Sequence, residues 1–483
     1  MSGLLPLGEV CRNASRAFDL KKPEAIFINT GDVLNGDFLH SDYSETRSMP
    51  GQAKKAILKD DILYSEIRPG NGRFAYVNFD APDHVVSTKF MVIEAFDRIL
   101  PKYLYLILTS ASVQNEFKLI AESRSGTFPQ ITFDAIAHVP IPVPEIEEQE
   151  RIIDSYFGIH DKIALNRKLN ETLEEMARAL FQSWFVDFDP VKAKLAAVRN
   201  GSDPERACMA ALSGKLRIAP GKPKSDTLAA QLPTAEELDT AIAALDTLSP
   251  AQLEKLAQTA AHFPADFEDS ELGLVPEGWK ASEIGNEVSI YGGATPSTKE
   301  EKFWDGDYAW ATPKDLSGIP SKVLISTQRR ITDQGVAKIS SGQLPAGSVL
   351  MSSRAPVGYL ALATAPISIN QGFIAMVCDK KLPNSYVLLW AEAVMDEIKS
   401  KASGSTFAEI SKKAFRPIQL VVPNKSILTS FDQIVTGFYR DITLDERQTR
   451  TLAELRDTLL PKLLSGELSV GEIQSAAEIA ENR

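Results

Sequence analysis

Two stretches of this chain match each other in register: TFPQITFDAIAHVPIPVPEIEEQERIIDSYFGIHDKIALNRKLNETLEEMARAL (residues 127–180) and TFAEISKKAFRPIQLVVPNKSILTSFDQIVTGFYRDITLDERQTRTLAELRDTL (residues 406–459). Identical residues keep one offset through a loop, a short apolar strand and a long helical stretch, as when Ile131 becomes Ile410 and Ile163 becomes Ile442. An offset that survives three kinds of local structure indicates an internal repeat. The chain is therefore predicted to hold two copies of one unit, each a globular part followed by a long helix.

The two helical stretches carry apolar residues at spacings that alternate between four and three, which is typical of a coiled-coil seam. Asn166 and Asn170 fall at two seam positions of the first stretch, and Asp445 and Thr449 fall at those of the second. Polar seam residues can define register and orientation at some cost in stability. The alternative is that each helix packs only on its own globular domain. The predicted seam consists of Ile152, Tyr156, Ile159, Ile163, Leu173, Leu180, Phe431, Val435, Phe438, Ile442, Leu452 and Leu459.

The globular parts show short apolar runs interrupted by Gly, Pro and Asp, with one amphipathic helix in each, which predicts the α+β class. The expected fold is two similar α/β domains separated by two long helices that form an antiparallel coiled coil. The stretch between the copies is interpreted as an elaborated linker, with a small helical docking element as the alternative. The predicted segments are domain 1 (1–145), helix 1 (146–190), linker (191–270), domain 2 (271–425), helix 2 (426–470) and a C-terminal tail (471–483).

Composition and charge limit the class of protein. The net charge is −12, but the acidic excess lies mostly on the helices and the linker, so that the globular parts are near neutral. A near-neutral domain can still present one basic face, although phosphate contacts alone would then give modest affinity for DNA. No secretory signal and no apolar run of membrane-spanning length occurs, and the three cysteines form no metal or disulfide pattern. A cytoplasmic protein without membrane contact is expected.

Motifs for catalysis are missing from the sequence. It contains no Asn/Asp-Pro-Pro-aromatic tetrapeptide for a flipped adenine and no phosphate-binding Gly-x-x-x-x-Gly-Lys loop. Pro82-Asp83 with Glu116 and Lys118 loosely resembles a nuclease site, but the Glu-x-Lys falls on a predicted helix and recurs at Glu397 without a Pro-Asp before it. No histidine pair has metal-ligand spacing. We therefore expect neither a catalytic residue nor a metal site.

A protein with two similar units suits a ligand with two similar halves, and double-stranded DNA is such a ligand. Matched strand-to-turn segments at 64–69 and 352–356 each place hydroxyls and an arginine before a proline. Arginine is the commonest bidentate reader of guanine, and serine can bind a base or a phosphate. The alternative is a turn whose arginine pairs with a neighbouring carboxylate. The candidates from these segments are Ser65, Arg68, Asn71, Arg73, Ser352, Ser353 and Arg354.

Further candidates come from loops and basic pairs. Glycine-flanked hydroxyl loops near residues 126 and 404 would let the backbone approach a phosphate, or they are ordinary loops with a helix cap. Asn370 and Gln371 could bind adenine, whereas the first copy has Ser-Thr-Lys at the matching place, so the two halves should read different bases. Basic pairs would contact phosphates or remain solvated. These candidates are Lys54, Lys55, Lys89, Arg124, Ser125, Thr127, Gln130, Arg329, Arg330, Asn370, Gln371, Ser403, Ser405, Thr406 and Lys412.

Three segments carry a resemblance to a known family: FVDFDPVKAK (185–194), FPADFEDSELGLVPEGW (263–279) and DTLLPKLLSGEL (457–468). They resemble the specificity subunit of type I restriction-modification systems. The resemblance implies that each domain reads one half of a split, asymmetric DNA target, while the paired helices hold the domains apart. It also implies that two methylation subunits dock, that motor-nuclease (restriction) subunits can join, and that the specificity subunit does no chemistry. S-adenosylmethionine, ATP and Mg would belong to those partners, with no cofactor on this chain.

The length of the predicted seam agrees with this resemblance. A helix of roughly 30 residues is about 45 Å long at 1.5 Å per residue, and half-sites one DNA turn apart are separated by about 34–36 Å. Helix length would then set the length of the unread spacer. A different class remains open, namely a helical scaffold that binds protein partners through its acidic helices and does not bind DNA.

Overall fold

The computed structural model describes residues 3–124, 129–404 and 408–468, and of Arg124 it describes the backbone alone. Contacts divide the chain into two compact units. The first unit runs from the N-terminus to Ala164 and resumes at Thr449, and the second spans Leu165–Gln448. Each long helix therefore contributes one segment to each unit.

The first unit contains two four-stranded sheets, in the orders β2-β11-β8-β9 and β6-β3-β10-β7, and the separate pairs β1-β12 and β4-β5. Its helices are α1 (Pro101–Leu108), α2 (Ala111–Arg124) and α3 (Phe133–Ile136). Its strands are β1 (Gly3–Pro6), β2 (Cys11–Asn13), β3 (Glu24–Ile28), β4 (Val33–Leu34), β5 (Asp37–Phe38), β6 (Tyr43–Glu45), β7 (Ala53–Ala56), β8 (Ile62–Ser65), β9 (Phe74–Tyr76), β10 (His84–Ser87), β11 (Phe90–Ala95) and β12 (Pro140–Val143).

The two long helices are α4 (Ile146–Phe181) and α16 (Lys425–Ser465). Between them, the second unit has strands β13 (Phe267–Ser270), β14 (Gly273–Pro276), β15 (Lys280–Glu283), β16 (Ser289–Tyr291), β17 (Trp304–Ala311), β18 (Val323–Leu324), β19 (Arg329–Ile331), β20 (Val349–Ser352), β21 (Leu360–Ala363), β22 (Ser368–Ile369), β23 (Phe373–Val377) and β24 (Gln419–Val422). Its other helices are α5 (Asp189–Asn200), α6 (Pro204–Leu212), α7 (Leu228–Gln231), α8 (Ala235–Ala243), α9 (Pro250–Ala260), α10 (Ile284–Glu287), α11 (Pro313–Leu316), α12 (Asp333–Val336), α13 (Asn384–Ala393), α14 (Met395–Ser400) and α15 (Lys412–Phe415).

The strand order of the two units repeats. The order β2-β11-β8-β9 of the first unit corresponds to β16-β23-β20-β21 of the second, where β18 extends the sheet. The parallel pair β3/β10 corresponds to the parallel pair β17/β22, and the antiparallel pair β1/β12 corresponds to β15/β24. The prediction of two similar domains of mixed helix and sheet is therefore confirmed.

The segments of α4 and α16 pack antiparallel within each unit. In the second unit, Asn170 contacts Glu446, while Phe181, further along α4, meets Phe431 with ring centroids 6.1 Å apart. In the first unit, Ile152 near the start of α4 shares an apolar core with Leu463 near the end of α16. The predicted antiparallel pairing of two long helices is thus present.

Burial along the helices follows the predicted seam. Five apolar seam residues are buried, namely Ile152, Ile163, Phe431, Val435 and Ile442, and the other seven are half-buried. Asn166 and Asn170 are buried as well. Asn170 Nδ2 donates to Glu446 Oε1 at 3.0 Å, and Asn166 Nδ2 donates to Gln448 Oε1 at 2.9 Å. Asn166 Nδ2 also lies 3.4 Å from the backbone oxygen of Asp445.

The first long helix ends earlier than the predicted residue 190. It stops at Phe181 and continues as a π-helical turn, Gln182–Val186, before the backbone of Phe188 turns into the left-handed region at φ 57°. The aromatic rings of Trp184 and Phe185 are buried in the core there, and burying both requires the chain to leave the straight helix. The second long helix ends at Ser465 rather than 470, followed by Gly466 at φ 73°, a left-handed cap that glycine adopts without strain.

The region 191–270 is more compact than the linker that the sequence predicts. Helices α5, α6, α8 and α9 bury small apolar residues in the same core as Trp279 and the aromatic turn of α4. Alanines such as Ala196, Ala207 and Ala210 are fully buried, because side chains of this size let helices approach closely. Buried Lys194 donates to Glu205 and to the backbone oxygen of Phe263, so its charge is compensated. An alanine-rich stretch that reads as weak helices is therefore a packed helical subdomain.

Candidate nucleic-acid interface

Three candidate segments of the second unit meet where strand β20 ends. The backbone N–H of Ser353 donates to Gly372 O at 2.8 Å, which joins this segment to the turn that carries Asn370 and Gln371. The N–H of Ile410 donates to Ser353 O at 3.0 Å, and two backbone hydrogen bonds join Ser403 to Glu409, which brings the third segment to the same point. Segments separated by many residues in sequence thus form one loop cluster.

The first unit repeats this arrangement bond for bond. Glu66 N donates to Lys89 O, and Ile131 N donates to Glu66 O, both at 2.9 Å. The turn before Lys89 also matches, because Lys89 N donates to the Ser87 hydroxyl just as Gly372 N donates to Asn370 Oδ1. The duplication therefore extends to the hydrogen bonds that hold the candidate loops.

The candidate serines at the strand ends are buried and form hydrogen bonds within their own turns. Ser65 and Ser352 are 1% and 0% exposed. The Ser65 hydroxyl donates to Ile67 O, and the Ser352 hydroxyl donates to Pro356 O while it accepts from Tyr359 N. Ser353 is buried too. These side chains hold the turns in shape, and they are therefore left out of the residues that are proposed below to contact DNA.

Several candidate cations are bound to protein groups instead. Lys55 Nζ donates to Phe90 O at 2.5 Å, and burial lowers its pKa. Arg73 donates to the carbonyls of Gly31 and Val33, at 3.0 and 2.8 Å. These bonds give both residues a structural role within the first unit, and their contact with DNA stays a prediction.

Two arginines of the second unit are also engaged. Arg354 lies 3.7 Å from the carboxylate of Glu409, which is the alternative that the sequence left open for this turn. Arg330 donates to the backbone oxygens of Gly306 and Asp307. Asn370 uses its side-chain oxygen to hold the turn, as described above, and is only half-buried.

The remaining candidates keep accessible side chains. Lys89 is half-buried, whereas Arg68 is exposed on a turn where its own backbone is left-handed at φ 48°. The exposed candidates are Lys54, Arg68, Asn71, Gln130, Arg329, Gln371, Ser403 and Lys412. The candidates Ser125, Thr127, Ser405, Thr406 and the side chain of Arg124 lie outside the described residues.

The Arg329 side chain packs on a pair of tryptophans that were not among the residues predicted from the sequence. The Arg329 guanidinium carbon lies 3.5 Å from the ring centroid of Trp304, close enough for a cation–π contact. Trp310 packs edge-on against Trp304 with centroids 5.0 Å apart. Strand pairing places Arg329 opposite Trp310, so the alternation of β17 and β19 builds the stack. No local motif signals this contact, because Trp304 precedes a register shift in β17.

One loop connects this stack to Gln371. Trp304 Nε1 donates to Ser297 O and Trp310 Nε1 donates to Ala294 O, at 3.0 and 3.2 Å. Between these two anchors, the Thr295 hydroxyl donates to Gln371 Oε1 at 2.6 Å. The loop therefore orients the Gln371 amide and leaves its NH₂ group as a donor.

Glycine is required where this loop touches the sheet. A Cβ on Gly293 would lie 1.8 Å from Ile369 O, so no other residue fits without moving the backbone. Neighbouring Gly292 faces the amino group of Lys412, which would lie 3.0 Å from a Cβ there. The pair Gly292-Gly293 was the local signal for a close backbone approach that the sequence analysis left unused.

Acidic residues of both long helices hold the second domain through the loop at Ser321 and Lys322. Glu174 of α4 accepts from Lys322 N at 2.5 Å and from its amino group at 3.2 Å. Glu446 of α16 accepts from the Ser321 hydroxyl at 2.8 Å, in addition to its bond from Asn170. The seam network and the domain are therefore connected through one carboxylate.

Comparison with known proteins shows the family to which this chain belongs. The sequence model described as the type I restriction modification DNA specificity domain matches residues 5–175 and 276–452, together more than half of the chain. The chain belongs to the family of type I restriction-modification specificity subunits. The HindI specificity subunit of Haemophilus influenzae is 39% identical to it over 476 residues, which cover 96% of this chain and 98% of that protein. The resemblance drawn from the sequence is thus confirmed.

Other similar proteins carry the same description. The MjaIX specificity subunit of Methanocaldococcus jannaschii is 30% identical over 179 residues, which cover 35% of this chain and 41% of that protein. The solved structure of a type I S subunit from M. genitalium has a similar fold, with a TM-score of 0.54 at 13% identity over 96% of each chain. As a specificity subunit, this protein is the DNA-recognition component of its system and not a catalytic one.

The described residues were also considered for a metal site, a membrane-spanning helix and reactive cysteines. Within residues 3–124, 129–404 and 408–468, no group of three or more His, Cys, Asp or Glu side chains could hold a metal ion. In that same part of the chain, no helix is both long enough and apolar enough to cross a membrane. Burial raises the thiol pKa of Cys11 and of Cys378 to about 12, so both thiols remain protonated near neutral pH. Both residues therefore behave as small apolar side chains.

Proposed function

We propose that this specificity subunit reads a two-part, asymmetric DNA target, with domain 1 (1–145) reading one half and domain 2 (271–425) reading the other. The observation that carries the proposal is that the two units repeat the same loop-holding hydrogen bonds yet present different side chains on them. The turn that holds Lys89 in the first unit holds Gln371 in the second, and β6 carries Tyr-Ser-Glu where β19 carries Arg-Arg-Ile. Two domains with the same backbone arrangement but different exposed side chains suit a DNA target whose two halves differ in sequence.

The residues proposed to contact DNA are the accessible members of the two loop clusters. Backbone contacts position the protein, and base contacts supply the specificity. Lysines and the serine are assigned to phosphates, whereas amides and arginines are assigned to bases. The proposed set is Lys54, Arg68, Asn71, Lys89 and Gln130 in the first unit and Arg329, Gln371, Ser403 and Lys412 in the second, together with the candidates outside the described residues.

The partners and cofactors follow from the family role. The subunit is proposed to dock two methylation subunits in the cytoplasm, with motor-nuclease subunits as a further component. S-adenosylmethionine, ATP and Mg are assigned to those partners. The near-neutral recognition domains support this assembly, because a reader with few phosphate contacts gains DNA affinity from the subunits bound to it.

Domain exchange tests the proposal. Residues 271–425 are replaced by the corresponding domain of the Haemophilus influenzae relative, and the full chain is expressed with its methylation subunit. Single-molecule sequencing of host DNA should then show a methylated motif in which one half has changed and the other is retained. Exchange of residues 1–145 should change the opposite half. A motif that stays whole in both chimaeras, or changes in both halves together, contradicts the assignment of one half to each domain.

A further inference from the structure

Arg329 differs from the other candidate cations in how its guanidinium is used. The guanidinium groups of Arg73, Arg330 and Arg354 bind carbonyls or a carboxylate, whereas the guanidinium of Arg329 has no hydrogen bond or ion pair within the described part of the chain. Its contact is with the face of Trp304, so that all of its N–H groups remain available. An exposed arginine that is held by an aromatic face and not by an acceptor is prepared to bind an external acceptor.

The aromatic surface under Arg329 is buried and held by hydrogen bonds. Trp304 is 6% exposed and Trp310 is 3% exposed, and both indole N–H groups are bound to backbone oxygens of one loop. The backbone of Arg329 is held as well, because its carbonyl accepts from the Thr327 hydroxyl at 2.7 Å. A stacked guanidinium retains its plane and presents its edge, which lowers the entropy lost when that edge forms two parallel hydrogen bonds.

A lysine and a further aromatic ring lie near the Trp304–Trp310 stack. Lys338, which is exposed, has its amino group 5.7 Å from the centroid of the Phe303 ring, and Phe303 packs in the same small core as the two tryptophans. A cation beside the stack can neutralise a phosphate while Arg329 reaches further into the groove. The lysine is assigned to the phosphate because its ammonium group is a point charge. Arg329 is assigned to the groove because its planar guanidinium can form two parallel hydrogen bonds with a base edge.

We infer that Arg329 is a base-reading residue of domain 2 and that its ligand is the major-groove edge of a guanine. This inference rests on the proposed function, and it replaces the phosphate contact that the sequence suggested for this residue. Guanine is the base that presents two acceptors, N7 and O6, on that edge, and this pair matches the arginine fork. The corresponding strand β6 of the first unit has no arginine or lysine, so this reading belongs to the second half of the target alone.

Three variants in the full chain, each assembled with its methylation subunit, test this inference. Arg329→Ala removes the fork, and Arg329→Lys keeps the charge without the fork. Arg330→Ala is the matched control, because it is the adjacent residue with its guanidinium bound internally. The methylated motif is determined by sequencing, and binding to duplexes that carry each base at every position of the second half is measured. Thermal unfolding establishes that each variant is folded.

The expected result is relaxation at a single G·C pair in the half that domain exchange assigns to residues 271–425. Arg329→Ala and Arg329→Lys should both lose roughly 10- to 100-fold in preference for that pair, and Arg330→Ala should keep it. A loss of affinity that is equal for all sequences, or that Arg329→Lys restores, would identify a phosphate contact and overturn the inference. An unchanged motif would overturn it too. Because the chimaeras still move half of the motif in either case, failure here remains distinct from failure of the proposed function.

Discussion

Removal of the Glu446 side chain should weaken the second unit more than any exposed acidic residue on the same helix. Glu446 is 8% exposed, and one of its oxygens accepts from Asn170 Nδ2 at 3.0 Å and from the Ser321 hydroxyl at 2.8 Å. Hydrogen bonds to a charged group contribute about 1.5–3 kcal/mol each. Glu446→Ala leaves both donors buried without that partner, so a loss of about 3 kcal/mol in the free energy of unfolding is expected.

The tryptophans provide the assay. All five lie between Leu165 and Gln448, so urea unfolding followed by tryptophan fluorescence reports on the second unit. Asp441→Ala is the control on the same helix and in the same unit, because Asp441 is exposed and pairs with the neighbouring Arg440. That exposed pair should contribute within about 0.5 kcal/mol. Unfolding midpoints convert to free energies if the urea dependence has the same slope in each variant.

A double-mutant cycle isolates the bond across the helix pair. Asn170→Ala, Glu446→Ala and the double variant should reveal a coupling energy of about 1–2 kcal/mol, because the two side chains are in direct contact. Glu446→Gln retains an acceptor oxygen but not the charge, so about half of the loss is expected. A coupling near zero, or a Glu446→Ala variant as stable as Asp441→Ala, would refute the view that a buried carboxylate connects the helices to the domain.

Three further predictions concern single residues. Lys54→Ala should lower the slope of log affinity for DNA against log salt by about 0.9, while Lys55→Met, whose lysine already binds a carbonyl, should leave that slope unchanged in filter-binding assays. Gly293→Ala should abolish methylation of the second half of the target, because its methyl group would collide with a backbone carbonyl of β22, whereas Gly437→Ala in open helical space should raise stability by about 0.5–1 kcal/mol. Burial raises the pKa of Asp189 to about 6, so the folded state holds this proton between about pH 4 and 6 and the unfolded state does not. The free energy of unfolding should therefore fall as pH rises through that window. In urea unfolding measured at several pH values, Asp189→Asn should make this fall smaller by about 2 kcal/mol.

The repeat and the seam were readable because both are periodic along the chain. A spacing of four and three depends only on helical geometry, and a constant offset depends only on the order of residues. The packing of region 191–270 was not readable, because burial of Ala207 or Lys194 depends on partners that arrive from distant parts of the sequence. The early end of α4 has the same origin, since the buried aromatic turn is a tertiary requirement.

The sequence by itself determined that this protein is a duplicated specificity subunit with two long helices, because repeats, periodicity and family segments are properties of the linear chain. Only the tertiary structure decided which candidate side chains remain free to bind DNA. Arg329 and Arg330 are adjacent and chemically identical, yet one lies on an indole face and the other binds two carbonyls. Ser65 and Ser352 have the residue type and the position at a strand end that suit a DNA contact, yet both are buried. Availability depends on contacts between residues far apart in sequence, and no local pattern records those contacts.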